Sequence, residues 1–352
     1  ISGNNAMGYT TRKFNFEQDS EDLLCLWNEI LKYPGSQRMV NMFTENSYGK
    51  SAAWLIFYDG VENPVGSVAV FPCRAILNGK QILLGVNCDM LILKKHRTLG
   101  PALMVLKALI KGCDEYGYQA LLAMPNEKSQ PVFKRVGYKK IGTAYRWSKV
   151  LKSKDKISAI IKWRFPRKAV ASFVDLVLKF ASIDPWIKFR YFNLWKNSIE
   201  KGVTIEQVLI PKNPAVENIL KKSPEYLKWR YATGLCQGDP EIFALYCKEQ
   251  LLGYVIYTLD DKEVIVQEFF LPGSDSGIHV LLSKFIKKMY GQKHSTISIL
   301  HYGPERFEKM LKQHGFMKRE GRDVFVNIFE PKNSDFFASL NNVSWFEGDL
   351  DL

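Results

Sequence analysis

Within HRTLGPALMVLKAL (96–109), the spacing Arg97-x-x-Gly100-x-Ala102 stands between a strand-like run and an apolar helix. Successive backbone N–H groups at a helix start converge on one spot, and the helix dipole favours negative charge there. Gly100 lets the backbone come close to a phosphate, small Ala102 leaves room, and Arg97 supplies a charged donor. The bare pattern also fits a simple helix cap with a surface arginine, so its context decides. A second candidate is Asp89, alone among apolar residues in VNCDMLIL. Desolvation disfavours charge on an unpaired carboxylate there, which suits a base, whereas a loop cap or a pair with Arg74 would make it structural. A third is Arg230, which ends SPEYLKWRY (223–231) beside Tyr226, Trp229 and Tyr231. Aromatics with arginine suit a sugar or an acidic group. Tyr226 and Trp229, three residues apart, read more simply as packing under an interface, leaving Arg230 as the expected substrate contact.

The elements that would position these residues follow from punctuation and period. SAAWLIFYD, VGSVAVFPCRAIL and QILLGVNCDMLIL read as three strands, the last two joined by a tight turn at Asn78-Gly79. From Pro101 the apolar period becomes helical, with Ala102, Leu103, Leu106, Leu109, Ile110 and Cys113 on one face, and Pro101 is expected at the first helical position. A strand (119–125), a helical stretch broken early by Pro131 and a strand (138–150) follow. The order of three strands, helix, strand, helix, strand recurs between 241 and 329. This predicts an α/β (α+β) chain of two tandem domains, each a mixed, mostly antiparallel sheet flanked by helices. The expected division is 1–148, a connector at 149–205, and 206–352. The second strand-to-helix junction, FFLPGSDSGIHVLLSKF, has Gly273 and Gly277 but no basic residue before its helix, so phosphate binding is expected only in the first half.

Bulk properties narrow the class. A length of 352 residues suits two domains, and no apolar run approaches a membrane span. The start shows no charged-then-apolar leader pattern. Six cysteines (25, 73, 88, 113, 236, 247) without a CxxC pair predict buried thiols in a reducing cytoplasm, and five dispersed histidines predict no metal site. The net charge of +13 predicts attraction to anions. The connector carries eight basic residues against one acidic from Lys149 to Lys168, followed by DPWIKFRYFNLW. The composition favours a solvated basic helix with its aromatics in the core. The alternative is a helix lying on a membrane surface through 149–195.

In this context Arg97, Gly100 and Ala102 resemble the pyrophosphate loop, Gln/Arg-x-x-Gly-x-Gly/Ala, of the GNAT superfamily of acyl-CoA-dependent N-acyltransferases. Thr98 stands where many members have glycine, and Pro101 removes one donor, leaving the N–H groups of Leu99, Gly100, Ala102 and Leu103. NEKSQPVFKRVGY (126–138) resembles the family segment that ends in a Gly-aromatic pair. The resemblance implies acetyl-CoA as acyl donor and no metal. It implies main-chain bonds from Leu91, Ile92 and Leu93 to the pantetheine, with Asn126 and Ser129 near that arm. Many members place an acidic tyrosine four residues before the glycine of that pair. Phe133 occupies that position here, so the thiolate proton is assigned to Tyr138 or water, and the base role to Asp89. The YLxWRY segment before the second half resembles a tandem group linked with surface-polysaccharide or cell-envelope assembly.

The expected reaction is direct transfer of an acetyl group to a primary amine, in that case a small molecule or an amino sugar of a glycan. Two other readings stand beside it. Fem-type peptidyltransferases resemble the same two-domain plan and take amino acids from charged tRNA, which the basic charge suits but the pyrophosphate spacing does not. Outside that reading no nucleic-acid partner is expected. A non-catalytic binding protein would explain Phe133.

Overall fold

Apolar runs rich in β-branched and aromatic residues form the first meander. A computed structural model describes residues 8–31, 35–43, 47–153, 164–180, 182–205, 219–231, 235, 238–270, 274–329 and 334–350. Strand β1 (Tyr9–Lys13) leads into helices α1 (Phe16–Ile30) and α2 (Ser36–Phe43). Strands β2 (Ala52–Tyr58), β3 (Gly66–Leu77) and β4 (Lys80–Ile92) then pair antiparallel in sequence. Asn78 and Gly79 take φ of 50° and 73°, the left-handed pair that a two-residue hairpin turn requires. Helix α3 (Leu99–Gly112) returns the chain to β5 (Ala120–Ala123), parallel to β4, and α4 (Gln130–Arg135) leads to β6 (Lys139–Val150). Helix α3 starts at Leu99 rather than Pro101; the proline takes the third helical position, where its missing N–H still costs nothing.

The connector supplies α5 (Arg164–Phe180), α6 (Asp184–Arg190), α7 (Phe192–Asn197) and β7 (Ser198–Lys201), and β8 (Ile219–Lys221) and α8 (Pro224–Arg230) follow it. Part of its basic run, 154–163, lies outside the described residues. The expectation that the connector's aromatics enter the core holds in part: Tyr191 and Trp195 pack against it beside buried Ile187, but Phe173, Trp186, Phe189 and Phe192 are more than half exposed.

The second half repeats the first in order: β9 (Glu241–Cys247), β10 (Gln250–Asp260), β11 (Glu263–Phe270), α9 (Asp275–Gly291), β12 (Thr296–Tyr302), α10 (Glu305–Gln313) and β13 (Met317–Ile328). Strands β11 and β12 run parallel, as β4 and β5 do. Helix α11 (Ser334–Asn341), strand β14 (Trp345–Phe346) and helix α12 (Glu347–Leu350) complete the chain. All fourteen strands among the described residues join one sheet whose main path is β1-β2-β3-β4-β5-β13-β6-β12-β11-β10-β9-β7, with β8 on β3 and β14 on β12. The halves are interlocked: β13 sits between β5 and β6, and β6 pairs in turn with β12. The sheet therefore runs unbroken across the boundary expected at 148.

Helices α3 and α4 cover one face of the first half-sheet, with Val105, Leu106, Leu109, Val132 and Phe133 in their core. The opposite face packs against α1 and α2 and also receives Tyr226 and Trp229 of α8 and Leu340, Trp345 and Leu350 from the C-terminal segment. Elements distant in sequence thus close this face of the sheet.

Candidate functional site

Strand β4 makes the site because it stops behaving as an ordinary strand. Its pairing with β5 covers only Leu84 to Val86, opposite Ala120 to Leu122. Beyond Val86 the two strands share no ladder among the described residues, so a gap opens between β4 and β5 from Asn87 onward. Its register with β3 also shifts between Ser67 and Ala69, opposite Cys88 to Leu91. The displaced residue is Asp89, at φ 46°, a left-handed conformation that aspartate tolerates better than most side chains. Such a bulge bends the strand and re-aims its side chains. Leu91 and Ile92 regain β3 as partner, and the Leu93 N–H bonds Val65 O at 2.8 Å. The three residues expected to line the donor therefore form the far end of the open strand.

At that end stands the Arg97 turn. Arg97 is exposed, and its Nε donates to Ile92 O at 2.8 Å, which holds the guanidinium beside the end of β4. The Thr98 N–H bonds His96 O at 2.7 Å, and Thr98 makes no side-chain cap. Ala102 and Leu103 lie where their N–H groups close the first intrahelical bonds, so these two are not the donors expected of them. With Pro101 carrying none, the open donors at this helix start are Leu99 and Gly100. Leu99 is 41% exposed, and a Cβ placed on Gly100 meets no atom within 4 Å. The matching start of α9 is different: Ser274 Oγ accepts the Gly277 N–H at 3.2 Å, and Asp275 adds negative charge in the first turn. The two helix starts thus differ: that of α9 is capped by a side chain and that of α3 is not.

Asn126 and Ser129 lie where β5 hands over to α4. The Ser129 N–H and hydroxyl both donate to the Asn126 side-chain oxygen, at 3.1 and 3.2 Å, and the hydroxyl also reaches Asn126 O at 3.0 Å. These bonds fix the turn on the far side of the opening from β4.

The charged group at the bulge is a pair. Nη2 of Arg38, on α2, donates to both carboxylate oxygens of Asp89, at 2.9 and 2.8 Å, and both side chains are more than nine-tenths buried. The guanidinium also lies 5.5 Å from the Trp27 ring centroid. The structural partner expected in the sequence, Arg74, instead stacks over Tyr48. Arg38 was invisible to sequence reasoning because no spacing links residue 38 to residue 89; only the fold of α2 across the sheet joins them.

Tyr138 is buried, and its hydroxyl donates to Asn87 Oδ1 at 2.7 Å. Burial raises its pKa well above the ordinary phenol value, so it remains a protonated donor with its proton already committed. Phe133 packs edge-on to its ring at 5.0 Å. Asn87, missed in the sequence, is 7% exposed at the first open position of β4, and its Nδ2 has no partner among the described residues. A buried amide donor left open beside a gap in a ladder is a ready contact for a polar ligand atom.

Arg230 does not stand in this site. It is 2% exposed, and it donates to the carbonyls of Gly348 at 2.5 Å and Leu235 at 3.1 Å. It ties α8 to the C-terminal segment and presents no surface to a substrate, which corrects its expected role. Tyr226 and Trp229 follow the packing reading: Tyr226 stacks on Tyr48 at 4.6 Å, and Trp229 Nε1 donates to Asn41 O at 2.8 Å.

No protein-family model and no curated protein matches the chain. Among solved structures, it is similar to a probable N-acyltransferase from Enterococcus faecalis, described as a conserved protein of unknown function. The TM-score is 0.61 and the identity 12%, over 91% of this chain and 72% of that one. It is similar also to a GCN5-related N-acetyltransferase from Anabaena variabilis, with TM-score 0.60 and 12% identity over 96% and 82% of the two chains. Eis1 from Mycobacterium abscessus aligns with TM-score 0.55 and 10% identity, over 91% and 74%. The chain therefore has the fold of the GCN5-related N-acetyltransferases, built on one large mixed sheet with flanking helices.

Proposed function

We propose that this chain is an acyl-CoA-dependent N-acyltransferase that moves an acetyl group from acetyl-CoA to a primary amine. The observation that carries the reading is the opening between β4 and β5, with the uncapped start of α3 at its end. An extended pantetheine arm fits the open edge of β4 as a missing strand would, exchanging main-chain hydrogen bonds from Asn87 toward Leu93. Its pyrophosphate then meets the Leu99 and Gly100 N–H groups and the Arg97 guanidinium, and the Asn126–Ser129 turn borders the arm from the β5 side. At the bulge, a main-chain N–H of β4 polarises the thioester carbonyl. The amine nitrogen bonds the carbonyl carbon, the C–S bond breaks, the ammonium proton leaves to a base, and the thiolate takes a proton. Asp89 is the acidic side chain of the bulge, but both of its oxygens are committed to Arg38, which makes it the carboxylate that orders the bulge and leaves water as the acceptor of the ammonium proton. Tyr138 serves as acid only by surrendering its bond to Asn87, so water is the simpler source of the thiolate proton. An amino sugar of an envelope glycan is the acceptor we favour, and the five described cysteines, all free thiols, support a cytoplasmic setting.

Isothermal titration with acetyl-CoA tests this reading on the wild type, Arg97→Ala and Gly100→Trp. Loss of one charged donor is expected to weaken binding by about tenfold. Gly100→Trp is expected to abolish it while leaving the circular-dichroism spectrum unchanged, because the space beside Gly100 is empty. Absence of binding by the wild type to any acyl-CoA would remove the proposal.

A further inference from the structure

The connector carries a second feature that the acyltransferase reading does not use. Eight of the seventeen large apolar side chains that are exposed among the described residues fall between Val170 and Phe192. In α5 they are Val170, Phe173, Val177 and Phe180, spaced three, four and three residues apart on one helical stripe, with Leu176 beside it. In α6 and α7 they are Trp186, Phe189 and Phe192, at 58%, 71% and 53% exposure. Isolated exposed apolar residues are ordinary, but a cluster of this kind marks a contact surface. On its inner side α5 rests over a cavity of about 580 Å³, walled by Leu151, Leu178, Trp195, Ile286 and Tyr290.

The charge on this segment identifies what would cover it. From Arg164 to Lys196 the sequence has seven basic residues and two acidic ones. Both acids are turned into the protein. Asp175 accepts the Ser153 N–H at 2.7 Å, and Asp184 is held by His314 at 2.5 Å and Lys149 at 3.0 Å. Lys188, Arg190 and Lys196 stay exposed beside Trp186, Phe189 and Phe192. An apolar, aromatic face interleaved with uncompensated cations matches the boundary of an anionic bilayer, where rings enter the acyl region and cations meet headgroups. A second copy of this chain would bring the same positive charge against itself. No helix among the described residues is long and apolar enough to cross a membrane, so the contact is one of lying on the surface.

We propose that the α5–α7 face docks this protein on an anionic lipid surface. The inference is independent of the reaction at the β4–β5 opening, and its test has a separate readout. The full chain is sedimented with vesicles of phosphatidylcholine alone and of phosphatidylcholine mixed with phosphatidylglycerol. Binding to the mixed vesicles, weakened by salt, is expected, with little binding to phosphatidylcholine alone. Lys188→Gln, Arg190→Gln and Lys196→Gln together are expected to weaken it by about a hundredfold. Phe173→Ser with Phe189→Ser is expected to abolish it, and both variants should keep the wild-type circular-dichroism spectrum because the replaced side chains are exposed. Equal binding to both vesicle types, no binding to either, or binding indifferent to these substitutions would overturn the proposal. So would a lipid-indifferent dimer that Phe173→Ser with Phe189→Ser dissociates, since a second copy would then cover the face.

Discussion

Asp89 combines two demands that few residues meet together: a left-handed backbone at φ 46° and a carboxylate that neutralises a buried guanidinium. Each demand has its own signature in substitution. Asp89→Ala removes the carboxylate from a buried ion pair, a loss expected to destabilise by about 3–5 kcal/mol. It also places an alanine in the left-handed region, for roughly 1 kcal/mol more. Asp89→Gly removes the charge but relieves the backbone, so it should be the milder change. Urea unfolding of the two variants, together with Asp89→Ala in an Arg38→Met background, separates the terms. The double variant is expected to recover much of the single-variant loss, because the buried pair is then removed as a unit. Values for Asp89→Ala within about 1 kcal/mol of wild type would show that the pair contributes little. The same pair shows where sequence reasoning stops at this scale. The apolar neighbours of Asp89 announced a buried carboxylate that needs a reason, and the Arg97–Gly100 turn announced the start of α3, which carries no side-chain cap. Arg38, Asn87 and the closed state of Tyr138 had no local signal, since each is defined by a partner 51 residues away.

At the scale of elements, period and punctuation carried most of the fold. The meander, the Asn78-Gly79 turn, α3 and the recurrence in the second half were all readable, because their patterns are local. The exchange of final strands was not. β6 and β13 read as ordinary last strands of their own halves, yet β13 fills the place between β5 and β6 while β6 pairs with β12. Nothing in an alternating pattern records which edge a strand will join, since both edges offer the same backbone groups. The exchange has a thermodynamic consequence. Residues 1–150 alone would lack β13 and expose the edges of β5 and β6 together with Leu121, Ala144 and their neighbours. The full chain is therefore expected to unfold in one calorimetric transition, and the fragment to show none. Two well-separated transitions in the full chain would mean that the interlocking does not couple the halves.

For the molecule as a whole, the interior groups that titrate decide how stability follows acidity. His301, fully buried between Phe307 and Phe346, has its pKa pushed down to about 3 by burial. His279, beside His314 and Tyr191, is held at about 4, first by burial and then by the neighbouring imidazole. The unfolded chain takes up both protons near the ordinary histidine value of about 6.5 while the folded chain refuses them, so stability falls as pH drops below about 6.5. Glu268 works the other way. Burial raises its pKa to about 7 although Lys222, which also holds Asp349 at 2.6 Å, pulls it down. The folded chain keeps that proton while the unfolded chain releases it near 4.5, so stability falls as pH rises from about 4.5 to 7. Between those limits two histidines oppose one glutamate. The net is one proton, and stability is expected to rise with pH by about 1.4 kcal/mol per unit from roughly 4.5 to 6.5. His301→Phe retains an aromatic ring between Phe307 and Phe346 and removes one of the two histidine protons. In that variant His279 and Glu268 offset each other, so its unfolding free energy should be nearly flat across the same window. Urea titrations at a series of pH values read both slopes directly. Equal slopes in wild type and variant would mean that His301 gains or loses its proton alike in the folded and unfolded chains, and that the sheet interior around β12 is open to water.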